Sequence, residues 1–257
     1  MKILVCIKQV PDMESKFKVN ATGNWFDETD LAWRMNEYDE YAVEQAVQLK
    51  EQIAEAELTV LCIGPERVKE TMKKALAMGC DRGFHIADNE SHLKDPFAIA
   101  SLIAGYAQEQ SFDLIFTGMQ SQDRGSAQVG VLTAEMLEIP SLTTLVEFSY
   151  ADGTINAKRE LEGGTKAKVS CSTPALVTCQ LGLNTPRYPT LPNIMKAKKK
   201  ELISTSVAEL NPPAVLIDTL QVSPPEKKGG GLILEGDPAE LADQLIKILK
   251  EKTTALA

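Results

Sequence analysis

The 257-residue chain has no pair of cysteines spaced as metal ligands and only two histidines, His85 and His92. Its five cysteines, Cys6, Cys62, Cys80, Cys171 and Cys179, occur singly. A zinc site or an iron–sulfur cluster needs several thiolate or imidazole ligands converging on one point, so no metal site is expected. Most of these cysteines lie in apolar, strand-like segments and read as buried thiols rather than nucleophiles. No apolar run approaches the roughly 20 residues that cross a bilayer, so no membrane insertion is expected. Lys8 interrupts the apolar start too early for a secretory signal, and Met1 to Lys8 reads as a first strand. The expected location is cytoplasmic, unless the chain lacks a targeting segment. No Gly-x-Gly-x-x-Gly follows that strand and there is no Gly-x-x-x-x-Gly-Lys-Ser/Thr loop, which disfavours a standard dinucleotide fold and a phosphate-loop NTPase. With no helical His-Glu-x-x-His, no Gly-x-Ser-x-Gly and no well-spaced carboxylate pair, the chain offers little for catalysis.

What is present is an ordinary globular composition, 44% hydrophobic and 25% charged, with a net charge of -9. That length suits one large domain, or one domain with an extended appendage. The acidic balance argues against nucleic acid as the main partner. One stretch runs against it: Thr190-Leu191-Pro192-Asn193-Ile194-Met195-Lys196-Ala197-Lys198-Lys199-Lys200, an apolar, proline-stiffened tip joined to four lysines. Buried unpaired ammonium groups would lose their hydration, so the cluster is expected to face water or a partner. Leu191, Pro192, Ile194 and Met195 then border an exposed surface. Charge that steers an encounter beside side chains that adhere describes a docking element. A solvated basic turn with its apolar residues folded inward is the plainer alternative.

Residues 1 to about 140 alternate strand and helix, the pattern of a parallel sheet covered by helices. Strands are expected at Ile3 to Ile7, Leu58 to Ile63, Gly83 to Ala87 and Leu114 to Thr117. Helices are expected from Asn36 to Leu49, from Glu66 to Met78 with Gly79 ending it, from Asp95-Pro96, and from Ala127 to Leu137. Short strands follow at Leu145 to Tyr150, Thr154 to Glu160, Lys166 to Cys171 and Ala175 to Leu181, the first two joined by the hairpin signal Ala151-Asp152-Gly153. The fold class is therefore α/β, an open, mostly parallel sheet with helices on both faces, a β-rich extension from about 145 and a C-terminal arm. Residues 1–184 form the α/β part, and 185–257 the lysine-rich loop and the arm. Asp237-Pro238-Ala239-Glu240 opens a final amphipathic helix carrying Leu241, Leu245, Ile248 and Leu249, which needs its own domain or a second subunit to cover it.

Ligands in open α/β sheets bind beyond the carboxyl ends of the strands. Four segments fall there: Cys6-Ile7-Lys8-Gln9, Asn36-Glu37-Tyr38-Asp39, Cys62-Ile63-Gly64-Pro65, and the loop Gly118 to Gly130. In the last, free N–H groups at a helix start beside Ser126 and Gln128 suit a phosphate, with Arg124 adding charge. Simple capping of that helix by Asp123 and Ser126 is the alternative. Glu160 and Glu162 alternate with Leu161 along a strand edge and should share one face, paired across an interface or merely solvated.

Taken together, Lys2 to Val10, Asn36 to Asp39, Lys74 to Gly79, Gly118 to Gly130, Arg159 to Gly164 and Asn184 to Tyr188 leading into the lysine run resemble the β subunit of electron-transfer flavoproteins over essentially the whole chain. The resemblance implies a Rossmann-like, adenine-nucleotide-binding fold in a heterodimer. The α subunit would hold the redox FAD and receive the C-terminal arm, while β buries a structural AMP. It also implies a non-enzymatic carrier that moves electrons from flavin dehydrogenases, such as those acting on acyl-CoA, to a quinone oxidoreductase. Matched by motif, the AMP contacts fall on Cys6, Asn36, Glu37, Tyr38, Asp39, Ile63, Ser121, Gln122, Asp123, Arg124, Gly125, Ser126, Ala127, Gln128, Val129, Gly130, Val131 and Leu132. Leu191 matches an anchor inserted into the dehydrogenase, and Glu160 an acid that pairs with an α-subunit arginine. Gln122 and Arg124 depart from residues often aliphatic or acidic in the family. A bifurcating subset carries a second FAD in place of AMP and usually lacks the Leu-Pro-Asn-Ile-Met-Lys run, which is intact here. A stand-alone nucleotide-binding module is the remaining alternative.

Overall fold

A computed structural model describes residues 1–210, 212–226 and 229–254. Strand β1 (Lys2–Ile7) leads into a two-stranded antiparallel ribbon, β2 (Gln9–Pro11) with β3 (Trp33–Met35), and then into helix α1 (Glu37–Gln52). Next come β4 (Glu57–Gly64), α2 (Val68–Met78), β5 (Arg82–Ala87), α3 (Pro96–Gln110), β6 (Leu114–Gly118) and α4 (Val129–Met136). They are followed by β7 (Ser141–Ala151), β8 (Thr154–Glu160), β9 (Lys166–Ser172), β10 (Ala175–Cys179), α5 (Leu191–Ala197), β11 (Leu202–Ser206) and α6 (Pro238–Lys252). Residues 1–222 form one compact unit, and a second unit from Ser223 onward contains α6.

The main sheet has nine strands in the order β11-β5-β4-β1-β6-β10-β7-β8-β9. Neighbours are parallel from β11 to β7, and the last two pairings are antiparallel. Because side chains alternate along a strand, β1 feeds two cores. Ile3, Val5 and Ile7 pack with Val43, Val47, Met72 and Leu76 of α1 and α2, whereas Leu4 and Cys6 pack with Leu102, Ile103 and Tyr106 of α3 and with Ala134 of α4. Burying each such aliphatic side chain stabilises the fold by about 1.5–3 kcal/mol. The sheet is therefore covered on both faces, and its central strands are mostly apolar, with Thr59, Thr117 and Thr178 the buried hydroxyl side chains among them.

Local chemistry sets the element ends. Asp95 caps α3 by accepting from the Ala98 N–H at 2.8 Å, with Pro96 in the first turn. Asp237 accepts from the N–H groups of Ala239 at 2.9 Å and Glu240 at 3.0 Å, and α6 contains no buried residue. The hairpin turn between β7 and β8 places Asp152 at φ 49° and Gly153 at φ 79°, the left-handed pair that such tight turns require. Cys6, Cys62, Cys80 and Cys179 are buried and Cys171 half-buried; burial pushes the Cys62 thiol up to about 12, so these are packing residues.

Three expectations are corrected. The segment read as a proline-stiffened tip, or in the alternative a basic turn, is a helix, α5, because the Thr190 hydroxyl accepts from the Asn193 N–H at 3.4 Å and Pro192 falls in the first turn, where proline is tolerated. The lysines do not all face water: Lys200 donates from Nζ to the carbonyls of Leu76, at 2.9 Å, and Cys80, at the carboxyl end of α2. There it satisfies one carbonyl of the last helical turn, that of Leu76, and one just past the helix end, that of Cys80. Glu162 does not continue the β8 edge with Glu160; it lies in the tight turn Glu162–Gly164, where Gly163 has φ 72°. Edge strand β11 was not expected at all, and it pairs in parallel with β5 from Leu202↔Gly83 to Ser206↔Ala87.

Candidate functional site

Strand order places the site. After β1 the chain crosses by α1 to β4 and by α2 to β5, then returns by α3 to β6 on the other side of β1. Helices leave the sheet in opposite directions at that point, which opens a crevice at the carboxyl ends of β1, β4 and β6. A cavity of about 180 Å³ occupies it. That is several times the share of one water, so it suits a ligand of many atoms rather than a single ion.

The segments at the strand ends meet here through a buried polar network. Asp39, in the first turn of α1, is 5% exposed and accepts from the backbone N–H of Lys8 at 2.7 Å and of Gly118 at 3.1 Å. It thereby ties the ends of β1 and β6 together. Burial pushes its carboxyl up to about 7, while the bonds from Lys8, Asn36 and Gly118 pull the other way. A Cβ on Gly118 would overlap the Asp39 carboxylate and stand 2.7 Å from the Tyr38 Cβ, so only glycine fits.

Asn36 does not cap its helix with its side chain. Its amide instead donates to the Gln120 carbonyl at 2.9 Å and accepts from the Gln122 N–H at 3.0 Å, holding the loop after β6. Glu37 accepts from the Gln122 side chain at 2.8 Å, and the Tyr38 hydroxyl accepts from that of Gln120 at 3.1 Å. Lys8 pairs with Asp123 at 2.7 Å and donates to the Ser121 hydroxyl at 3.3 Å; burial lowers its pKa and Asp123 opposes the shift. Asp123 and Ser126 are therefore not the caps of α4, whose N-cap is Gln128. Gly130 seats the start of α4 directly on the sheet, since a Cβ there would lie 2.8 Å from Thr117 Oγ1 and 2.9 Å from Thr178 Cγ2.

Of the residues expected to hold a ligand, Cys6, Asn36, Asp39, Ile63, Ser121, Asp123, Arg124, Ser126, Ala127, Gln128, Val129 and Gly130 line this cavity. Glu37, Tyr38 and Gln122 bond to the loop that frames it, and Gly125, Val131 and Leu132 belong to the loop and helix without lining it. The first N–H groups of α4 lack intrahelical partners by helix geometry and lie at this wall. Ile63, Ile99 and Ile103 supply apolar surface to the same cavity.

The outer rim was not foreseen. Trp25 packs at a tilt against Phe26, with centroids 4.4 Å apart, and against His92 at 5.3 Å, and the Arg124 guanidinium lies 4.9 Å from the Trp25 ring while donating to the His92 carbonyl. Arg67 lies 3.9 Å over Trp33 and pairs with Glu28 at 3.0 Å. The one sequence signal was the adjacent aromatic pair Trp25-Phe26 inside an otherwise polar stretch. The indole Nε1 of Trp25 is buried without a partner.

The tip expected to dock lies elsewhere on the unit. Leu191 is 79% exposed and Met195 62%, and Ile194 is also exposed, while Ala197 is buried between α5 and the core. Glu160, at the end of β8, accepts from the Gln180 side chain at 3.0 Å. Among the described residues no helix is long and apolar enough to cross a membrane, and no cluster of His, Cys, Asp and Glu is suited to a metal ion.

Residues 23–210 match the family model "Electron transfer flavoprotein domain". Proteins named electron transfer flavoprotein subunit beta align along nearly the whole chain. That of Bacillus subtilis (strain 168) is 36% identical over 100% of both chains. The Methylophilus methylotrophus protein is 32% identical over 98% of each, and the Mus musculus protein 33% identical over 98% of this chain and 97% of its own. With a nine-stranded α/β fold, a crevice at its switch point and identity sustained across the full length, this chain belongs to the electron transfer flavoprotein subunit beta family.

Proposed function

We propose that the chain is the β subunit of a heterodimeric electron carrier, holding a structural AMP in the crevice above β1, β4 and β6 and docking flavin dehydrogenases through α5. The observation that carries the nucleotide reading is the pairing of an apolar wall, Ile63, Ile99 and Ile103, with the first amides of α4 in one cavity. A flat base suits the first and a phosphate the second, with Ser126 and Arg124 beside it. FAD, held mainly by the α subunit, supplies the redox chemistry when bound. Glu160 would meet an α-subunit cation, and the apolar side chains of α6, among them Leu245 at 49% exposure, would be covered by that subunit. Dehydrogenases such as those acting on acyl-CoA would donate electrons, and a quinone oxidoreductase would accept them.

Co-purification with the α subunit tests this. The heterodimer is expected to carry one FAD and one AMP and to be reduced by a flavin dehydrogenase; a colourless complex, or one that takes no electrons, overturns it. The extension of the cavity to Trp25, Trp33 and Arg67 favours one second reading, a bifurcating protein with another FAD in place of AMP. Two flavins per heterodimer and no AMP would select that reading. Leu191→Ala should weaken reduction by the dehydrogenase while leaving AMP content and folding intact, because the side chain is exposed in this chain. Neutralising Lys196, Lys198 and Lys199 should slow association chiefly at low salt.

A further inference from the structure

The exposed tip is fastened at both ends, and we propose that Arg187 and Lys200 are positioning residues that hold α5 preformed for its protein partner. The inference rests on the docking reading above. On the amino side, the Arg187 guanidinium makes two forked contacts with α1: Nε and Nη2 to Glu44 at 2.8 and 3.0 Å, and Nη1 and Nη2 to Glu51 at 2.6 and 3.0 Å. Its backbone N–H adds a bond to Glu44 at 3.1 Å, and Asn184 donates to the Tyr41 carbonyl at 3.0 Å. Glu44 has a side chain only 4% exposed, so this end is set into the molecule rather than laid on it.

On the carboxyl side, Lys200 bonds the Leu76 carbonyl in the last turn of α2 and the Cys80 carbonyl just beyond that helix, and one turn earlier Ala197 is buried against the core. Between these posts the apolar groups point outward: Tyr188 is 92% exposed, Leu191 79% and Met195 62%. Arg187 lies four residues before Leu191, so the tether from clamp to tip spans at most about 14 Å. A free loop of this composition would have to be ordered on docking, which weakens association; ordering it during folding removes that cost. Lysine cannot reproduce the arginine clamp, because one ammonium does not satisfy two carboxylates through a planar fork. The cluster thus divides its labour, with Lys196, Lys198 and Lys199 available to steer and Lys200 committed to the scaffold.

The test uses the heterodimer and reads a dehydrogenase's KM and kcat for it, with hydrogen exchange at residues 190–197. Arg187→Lys should raise KM by about tenfold with kcat little changed, and speed exchange across α5 at unchanged AMP content. Glu51→Gln, which loses only the outer contact, gives a smaller rise should Arg187→Lys fold poorly. Lys200→Met should act in the same direction, and Lys200→Arg should restore KM. Faster exchange with unchanged KM in the Arg187 or Glu51 variants, alongside a raised KM in Leu191→Ala, overturns the clamp and leaves the docking reading standing. Unchanged KM in Leu191→Ala removes the docking reading, and the positioning role with it.

Discussion

One helix serves two regions of the molecule. The start of α1, through its N-cap Asn36 and Asp39 in the first turn, organises the crevice, and its middle and last turns, through Glu44 and Glu51, organise the exposed tip. Both use carboxylates to fix a chain segment far away in sequence, yet the chemistry differs. Asp39 is buried and accepts from neutral backbone N–H groups, so desolvation dominates and its pKa rises to about 7. Glu51 stands at the surface and meets a guanidinium, which holds its pKa below the ordinary carboxylate value. A carboxylate bonded only by amides becomes a pH-sensitive fastener, whereas one bonded by arginine stays ionised.

The largest expected effect comes from Gly118→Ala. The new Cβ would strike Asp39 and Tyr38 on a backbone that cannot withdraw, so the crevice fastener should fail with a loss of about 3 kcal/mol or more in denaturant unfolding. A near-neutral result would show that the first turn of α1 is not rigidly held.

Asp39→Asn comes next. The amide must present a donor to a backbone N–H, at a cost of about 1–3 kcal/mol at pH 8. The pH dependence sharpens the contrast. Asp39 titrates near 3.8 when unfolded and about 7 when folded, so the folded state binds its proton more tightly. This group's stabilisation is therefore complete below about pH 4 and is lost as pH rises to 7. Asn does not titrate, so the gap between native protein and variant should widen from pH 8 to pH 5, by at most about 1.4 kcal/mol per unit. A constant gap would mean that the N–H bonds outweigh burial.

Glu51 carries the opposite sign: its lowered pKa gives a contribution present above its unfolded value of 4.5 and lost on acidification. Because it is exposed, Glu51→Gln should change global stability by less than about 1 kcal/mol and act mainly on the tip. An effect as large as that of Asp39→Asn would erase the distinction between the two fasteners. Leu191→Ala should be smallest of all in thermal unfolding, within about 0.5 kcal/mol.

The alternation of the first half was legible because each element carries its own signal: apolar runs for β1, β4 and β6, Gly79 after α2, and Asp95-Pro96 before α3. Features that depend on distant partners were not. The Leu202–Ser206 run becomes a strand only because β5 presents a free edge to it. Lys200 resembled its neighbours until α2 supplied carbonyls for it. The crevice was readable where strand ends mark it, at Cys6, Ile63 and the loop after Gly118. Its rim was not, because Trp25 and His92 lie on connections without periodicity and meet only in three dimensions.

Arg187 and Lys200 also act as a ruler. With both ends of the segment pinned, its length is fixed even where its side chains are not. A single residue inserted within α5, between Leu191 and Ala197, would rotate Leu191 by about 100° relative to the buried Ala197 and turn it away from its present direction. Individual side chains of the tip can therefore be exchanged without disturbing its frame, while insertions and deletions between the two posts should be far less tolerated than in an ordinary surface loop.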